Sequence, residues 1–212
     1  MDGNGSYPSD IAFTPSVKAA QARKGSRRAY ECMERKRSWQ TRITADLALF
    51  IEAQTSIFIA TVNAAGQPYI QHRGGPRGFL RVLDEMTVGF VDFSGNRQYI
   101  TQGNLGDNPK AHLFLIDYMQ RQRVKIWGEA RIVENDAELI AKLMPDGYRA
   151  RAEQILLFTV SAWNENCSQH IPQRFEAPDV AAALAERDQR IEMLEAELKE
   201  LRKTNGKVVQ GE

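Results

Sequence analysis

Between residues 57 and 104 the chain alternates short apolar, β-branched runs with tight turns that carry glycine, a pattern that demands antiparallel strands. Residues 57–62 form the first run, and Ala64-Ala65-Gly66-Gln67-Pro68 closes a turn behind it. Residues 69–73 return as its hairpin partner. Residues 79–83 read as a third strand with Asp84-Glu85 as its turn, and residues 87–93 as a fourth. Further on, 111–116 is apolar, 123–133 alternates charged and apolar residues at period two, and 155–162 is the last strand. Short strands so closely spaced predict a mainly β chain: an antiparallel barrel of six strands or a similar number, with flanking helices.

The flanking segments read as helices and tails. Residues 1–9 are rich in Gly, Ser, Asn and Pro and predict a mobile tail. Residues 16–35 favour helix, with Thr14 or Ser16 as cap and Gly25 as an interruption. The basic residues there read as a solvated face or as packing on a partner subunit, rather than as a nucleic-acid contact. Thr44 caps a helix over 44–53 whose Leu47, Phe50 and Ile51 form a stripe suited to covering one end of a sheet. Residues 97–102 start a short helix, and Asn108-Pro109 breaks the chain after it. Residues 136–144 form another helix that buries Leu139, Ile140 and Leu143. From 179 to 203 the residues Val180, Leu184, Ile191, Leu194, Leu198 and Leu201 recur at three- and four-residue spacing, with Arg187 the polar entry in the seam. That is either a coiled coil of about three heptads or an amphipathic helix packed on its own domain. The expected division is an extension over 1–43, a barrel over 44–178, the helix over 179–203 and a fraying tail over 204–212.

Charge and cysteine content exclude several functions. The formal net charge is +1, so no overall field draws the chain to nucleic acid or an anionic membrane, and anion recognition must come from local clusters. Two cysteines, Cys32 and Cys167, far apart in sequence, make neither a disulfide framework nor a zinc spacing. No run approaches the roughly 18 apolar residues of a membrane span. The N-terminus lacks a signal-peptide layout, and the expectation is a cytoplasmic protein.

Two cationic turns carry the chemistry. One is Gln71-His72-Arg73-Gly74-Gly75-Pro76-Arg77-Gly78 and the other Ser94-Gly95-Asn96-Arg97-Gln98. Arg73 and Arg97 each offer a planar fork of donors suited to phosphate, and the neighbouring glycines let backbone N–H groups come close. The competing reading is two surface arginines in ordinary β-turns. The glycine-rich turn is not a P-loop, because it lacks the Gly-Lys-Ser/Thr ending and lies between strands. His72, His112 and His170 share no metal-binding spacing, and Cys167 with His170 is an isolated C-x-x-H pair with no third group to orient it. The polar and aromatic segment 163–175 reads as a contact surface.

Taken in order, Gly66-Gln67-Pro68, Gln71-His72-Arg73-Gly74-Gly75, the run from Phe90 to Gln98, Asn108-Pro109 and the run from Arg121 to Gly128 resemble the pyridoxamine 5'-phosphate oxidase-like, FMN-binding split-barrel family. The resemblance implies an antiparallel split β-barrel and a homodimer with FMN sites at its interface. It implies that Arg73 and Arg97 bind flavin phosphate, with Asn96-Arg97-Gln98 standing where the family has Ser-Arg-Lys. Arg123 stands where the family's glutamine reaches the flavin ring. Gln71, His72, Asp92, Gln98 and Asn104 are further candidates, and Trp163, His170 and Arg174 are candidates to complete the second subunit's site. The substrate machinery of the B6 oxidase is not matched: Gly78 replaces its lysine, and Gln169 to Arg174 offers only a rearranged His and Arg. The implied function is an FMN-dependent oxidoreductase with no metal. The alternatives are a flavin or haem carrier or sensor without turnover, and a reductase that uses F420.

Overall fold

A computed structural model describes residues 6–166 and 168–208. Among these residues there are seven strands: β1 Ser56–Val62, β2 Pro68–Gly74, β3 Arg81–Val82, β4 Thr87–Phe93, β5 Lys110–Asp117, β6 Gln122–Val133 and β7 Ala152–Asn166. Six helices accompany them: α1 Pro15–Arg23, α2 Arg27–Lys36, α3 Ala45–Glu52, α4 Ile100–Asp107, α5 Ala137–Leu143 and α6 Ala177–Val208. The sheet order is β2-β1-β5-β6-β7-β4-β3, antiparallel at every pairing.

The sheet curls because its inward residues share one core. Ile57 and Ile59 of β1 lie in the same buried cluster as Val88 and Phe90 of β4, although three strands separate β1 from β4 in the sheet. Leu113 and Leu115, Val124 and Ile126, and Phe158 and Val160 complete it from β5, β6 and β7. Strands with two buried neighbours must offer alternate residues to this core, which the burial of every second residue along β1, β5 and most of β6 shows. The split barrel expected from sequence is the fold found.

Helices close the ends. The Thr44 hydroxyl accepts the Leu47 N–H at 3.3 Å, capping α3, and Leu47 and Ile51 enter the core. α5, capped by Asp136, covers a second cluster of Val91, Leu143, Ile155 and Leu157 on the other face of β4 and β7. Gly25, at φ +81, separates α1 from α2 where sequence placed an interruption.

Several boundaries differ from expectation. The third strand shrinks to two residues, because Phe79 and Leu80 leave the ladder and bury themselves in the core. α4 starts at Ile100 rather than Arg97, because Arg97 and Tyr99 hold positive φ values of 55° and 54° that no helix continues. β7 runs on to Asn166, pairing its polar end with the start of β6. The expected mobile tail is fixed at its inner end: Pro8–Ile11 makes a 3-10 turn, and the buried Ser9 hydroxyl donates to Glu34 at 3.3 Å. Residues 1–5, 167 and 209–212 lie outside the described residues, and with them the Cys167 reading.

The chain forms two compact units, one of residues up to 117 with 121–171, the other of 118–120 with the chain from 172 onward. The second unit holds α6, which continues to Val208, past the expected end at 203. Within it the Arg174 guanidinium lies over the Tyr118 ring, 4.6 Å from its centroid. Among the described residues no helix is long and apolar enough to cross a membrane.

Candidate functional site

The two cationic turns meet. β2 carries Gln71, His72 and Arg73 to one wall of a cleft of about 360 Å³, and the segment after β4 brings Asn96, Arg97 and Gln98 to the other. Asp92 of β4, Glu153 and Gln154 of β7, and Thr101 of α4 complete the polar lining, with Tyr69, Phe79 and Tyr99 as aromatic surface. Seven residues singled out from sequence therefore share one site: Gln71, His72, Arg73, Asp92, Asn96, Arg97 and Gln98. The volume lies in the range of small-molecule pockets.

The cations are held by carboxylates. Arg73 Nε stands 2.7 Å from Asp92 Oδ1, an ionic contact off the N–H direction, and Nη2 donates to Asp92 Oδ2 at 3.3 Å. Gln154, opposite Asp92 in the β4–β7 register, donates its amide to the same Oδ2 at 3.0 Å. This leaves Arg73 Nε buried without a well-directed acceptor. Arg97 is far more open, with 64% of its side chain exposed, and donates through Nε to the Tyr99 hydroxyl at 2.7 Å and to Glu153 at 3.2 Å. Tyr99 donates to Glu153 at 2.5 Å. That hydroxyl first, and the Arg97 charge after it, hold the Glu153 carboxyl below its ordinary range. Two arginines against two carboxylates leave the lining close to neutral, with exchangeable guanidinium donors.

The remaining polar groups hold the walls in place. Thr101 donates to the Gln71 side chain at 2.9 Å, tying α4 to β2. The His72 ring nitrogen Nε2 lies 2.7 Å from the Ser56 hydroxyl, and its ring meets Phe58 edge-on.

Five candidates lie apart from this lining. Asn104 is buried and donates to Thr61 at 2.9 Å, fastening α4 to β1. Arg123 stands near the start of β6, paired with Ile116 and Asn166. Trp163 is buried on β7, its indole N–H donating to the Arg42 carbonyl at 2.8 Å. His170 is exposed, and Arg174 belongs to the second unit. His112 also lies elsewhere, edge-on to Trp127. Burial, and then the Lys125 charge, push it down to about 4, so it is neutral at pH 7.

Sequence reasoning missed Tyr69, Tyr99, Thr101, Glu153 and Gln154. Period two along β2 puts Tyr69 on the same face as Gln71 and Arg73, and that signal was available. Glu153 and Gln154 reach the cleft only through long-range strand pairing, which no local pattern encodes. Among the described residues, no three His, Cys, Asp or Glu side chains gather to hold a metal.

The family model for pyridoxamine 5'-phosphate oxidase matches residues 43–167. No curated protein matches the chain. Among solved structures, a tagged form of HupZ from Group A Streptococcus is 23% identical over 63% of this chain and 99% of its own, with a TM-score of 0.48. An FMN-binding protein from Syntrophomonas wolfei subsp. wolfei is 13% identical over 70% and 97%, with a TM-score of 0.46. HutZ, the heme storage protein from Vibrio cholerae, is 16% identical over 59% and 94%, with a TM-score of 0.40. The family match takes in the whole path from Ile43, ahead of α3, to the end of β7, and so every residue that lines the cleft. Spanning more than half of the sequence, it shows that the chain belongs to the pyridoxamine 5'-phosphate oxidase family.

Proposed function

We propose that the cleft binds FMN through its phosphate and that the protein is an FMN-dependent oxidoreductase, acting as a homodimer on a substrate other than pyridoxamine 5'-phosphate. The observation that carries this reading is the convergence of Arg73 and Arg97 on one cleft, the first with a buried donor lacking a directed acceptor and the second exposed. Both suit an incoming phosphate, for which guanidinium forks are the fitting donors. Gln71, Asn96, Gln98 and Thr101 supply neutral hydrogen-bonding groups beside them. Bound there, FMN supplies reversible hydride or electron transfer, while the chain binds it, orients it and sets the charge around it.

The turn after β2 supports the reading against B6 oxidation. Gly78, where the resemblance expects a lysine, has φ +78, a backbone that strains any side chain. The adjacent Arg77 turns away and donates to the Ala53 carbonyl at 3.2 Å. Neither position offers the cleft a cation.

The absorption spectrum of the purified protein is the test. Oxidised-flavin bands that disappear in Arg73→Ala and Arg97→Ala, with the secondary structure intact, are the expected result. A haem Soret band in place of flavin favours the carrier or sensor reading. A colourless protein that takes up no added FMN would sink the proposal.

A further inference from the structure

α6 is a 32-residue helix, and every described side chain from 172 to 202 is exposed. Its seam residues Leu184, Ile191, Leu198 and Leu201 are 54%, 52%, 52% and 54% exposed. A helix gains most of its stability from burying an apolar face, and this one leaves about three heptads of apolar seam open. We infer that the seam is covered by α6 of a second copy of this chain, parallel and in register, as a two-stranded coiled coil.

The charges choose the orientation. With Leu184, Ile191 and Leu198 at a, and Val180, Arg187, Leu194 and Leu201 at d, the e positions are Asp188, Glu195 and Arg202. Arg190 and Glu197 fall at g. In a parallel pair each g residue faces the e residue of the next heptad on the other helix. Arg190 then faces Glu195 of the partner subunit, and Glu197 faces Arg202 of the partner subunit. Both contacts are attractive, and symmetry doubles them. An antiparallel pair sets e against e and g against g. Its best-filled register, with Ile191 opposite Leu194 of the partner subunit, brings Asp188 beside Glu195 of the partner subunit. That like-charge contact occurs twice and offsets the attraction of Arg190 for Glu197 of the partner subunit.

Arg187, the charged residue in the seam, fits the same arrangement. A single polar residue in a seam fixes register at some cost in stability. In the parallel pair the two Arg187 side chains share one layer, and each lies next to Asp188 of the partner subunit, which supplies its counter-charge. None of this depends on what the cleft binds.

The test uses the full chain with Cys32→Ser and Cys167→Ser, carrying one new thiol at Leu201→Cys (position d) or Lys203→Cys (position f, the outer face). After mild oxidation at low protein concentration, Leu201→Cys should run as a covalent dimer on a non-reducing gel, and Lys203→Cys as a monomer. In the antiparallel register the two 201 positions lie about 25 Å apart along the axis and do not link. No covalent dimer, or equal yields at the two positions, overturns the inference. Adding Glu195→Lys, which opposes Arg190 of the partner subunit, should lower the Leu201→Cys yield several-fold, and Arg190→Glu with Glu195→Lys should restore it. A yield indifferent to these reversals also overturns it.

Discussion

At the scale of single residues, the proposed function makes the cleft a competition between carboxylates and an incoming anion for the same two arginines. Asp92 is buried and bound by Arg73 and Gln154, so it stays. Glu153 holds Arg97 at an exposed end of the cleft, where an ion pair adds little to stability. Glu153→Gln should therefore release Arg97 and tighten FMN binding by about 3- to 10-fold, leaving the urea midpoint unchanged. Fluorescence titration of FMN and urea denaturation of both proteins check this. Weaker FMN binding would show that the carboxylate itself serves the ligand. The arginines were legible in the sequence because each sits in a glycine-containing turn. Asp92 was a candidate too, but Glu153 and Gln154 were not, because they lie some sixty residues from Asp92 and reach the cleft only through the β4–β7 register.

At the scale of elements, legibility followed how much of a segment's structure is set locally. β1, β4, β5 and β6 were readable to within a residue because alternation or β-branched content marks them. α3 was readable from its Thr44 cap, and α5 from the spacing of Leu139, Ile140 and Leu143. The start of α4 was not, since the left-handed backbone at Arg97 and Tyr99 leaves no compositional trace. Nor was the end of β7, where Asn164, Glu165 and Asn166 extend only because β6 offers a ladder.

The bulge in that same ladder gives a prediction of its own. The β6–β7 register shifts between Trp127 and Gly128, and a Cβ on Gly128 would meet the Thr159 carbonyl oxygen at 2.0 Å and the Phe158 ring at 2.7 Å. Both obstacles belong to β7, which is paired on both sides by β6 and β4 and cannot step aside. Gly128→Ala should cost about 3 kcal/mol or more, measured as a loss in urea or thermal stability. Wild-type stability would mean that the two strands do not approach this closely.

At the scale of the whole molecule, the family sets the fold, and the cleft lining gives the member its character. The barrel core joins strands from both ends of the sheet order, which draws β2 and β4 onto one cleft. The departures at Gly78 and in the Asn96-Arg97-Gln98 segment take cations away from the oxidase pattern while leaving two arginines in place. Under the proposed function those arginines bind a phosphate. Riboflavin carries the same ring without the phosphate, so a paired titration of the two ligands isolates that group. FMN should bind at least about 100-fold more tightly than riboflavin, the order expected for two charge-assisted contacts, and Arg73→Ala should remove most of the difference. Equal affinities for FMN and riboflavin would contradict the claim.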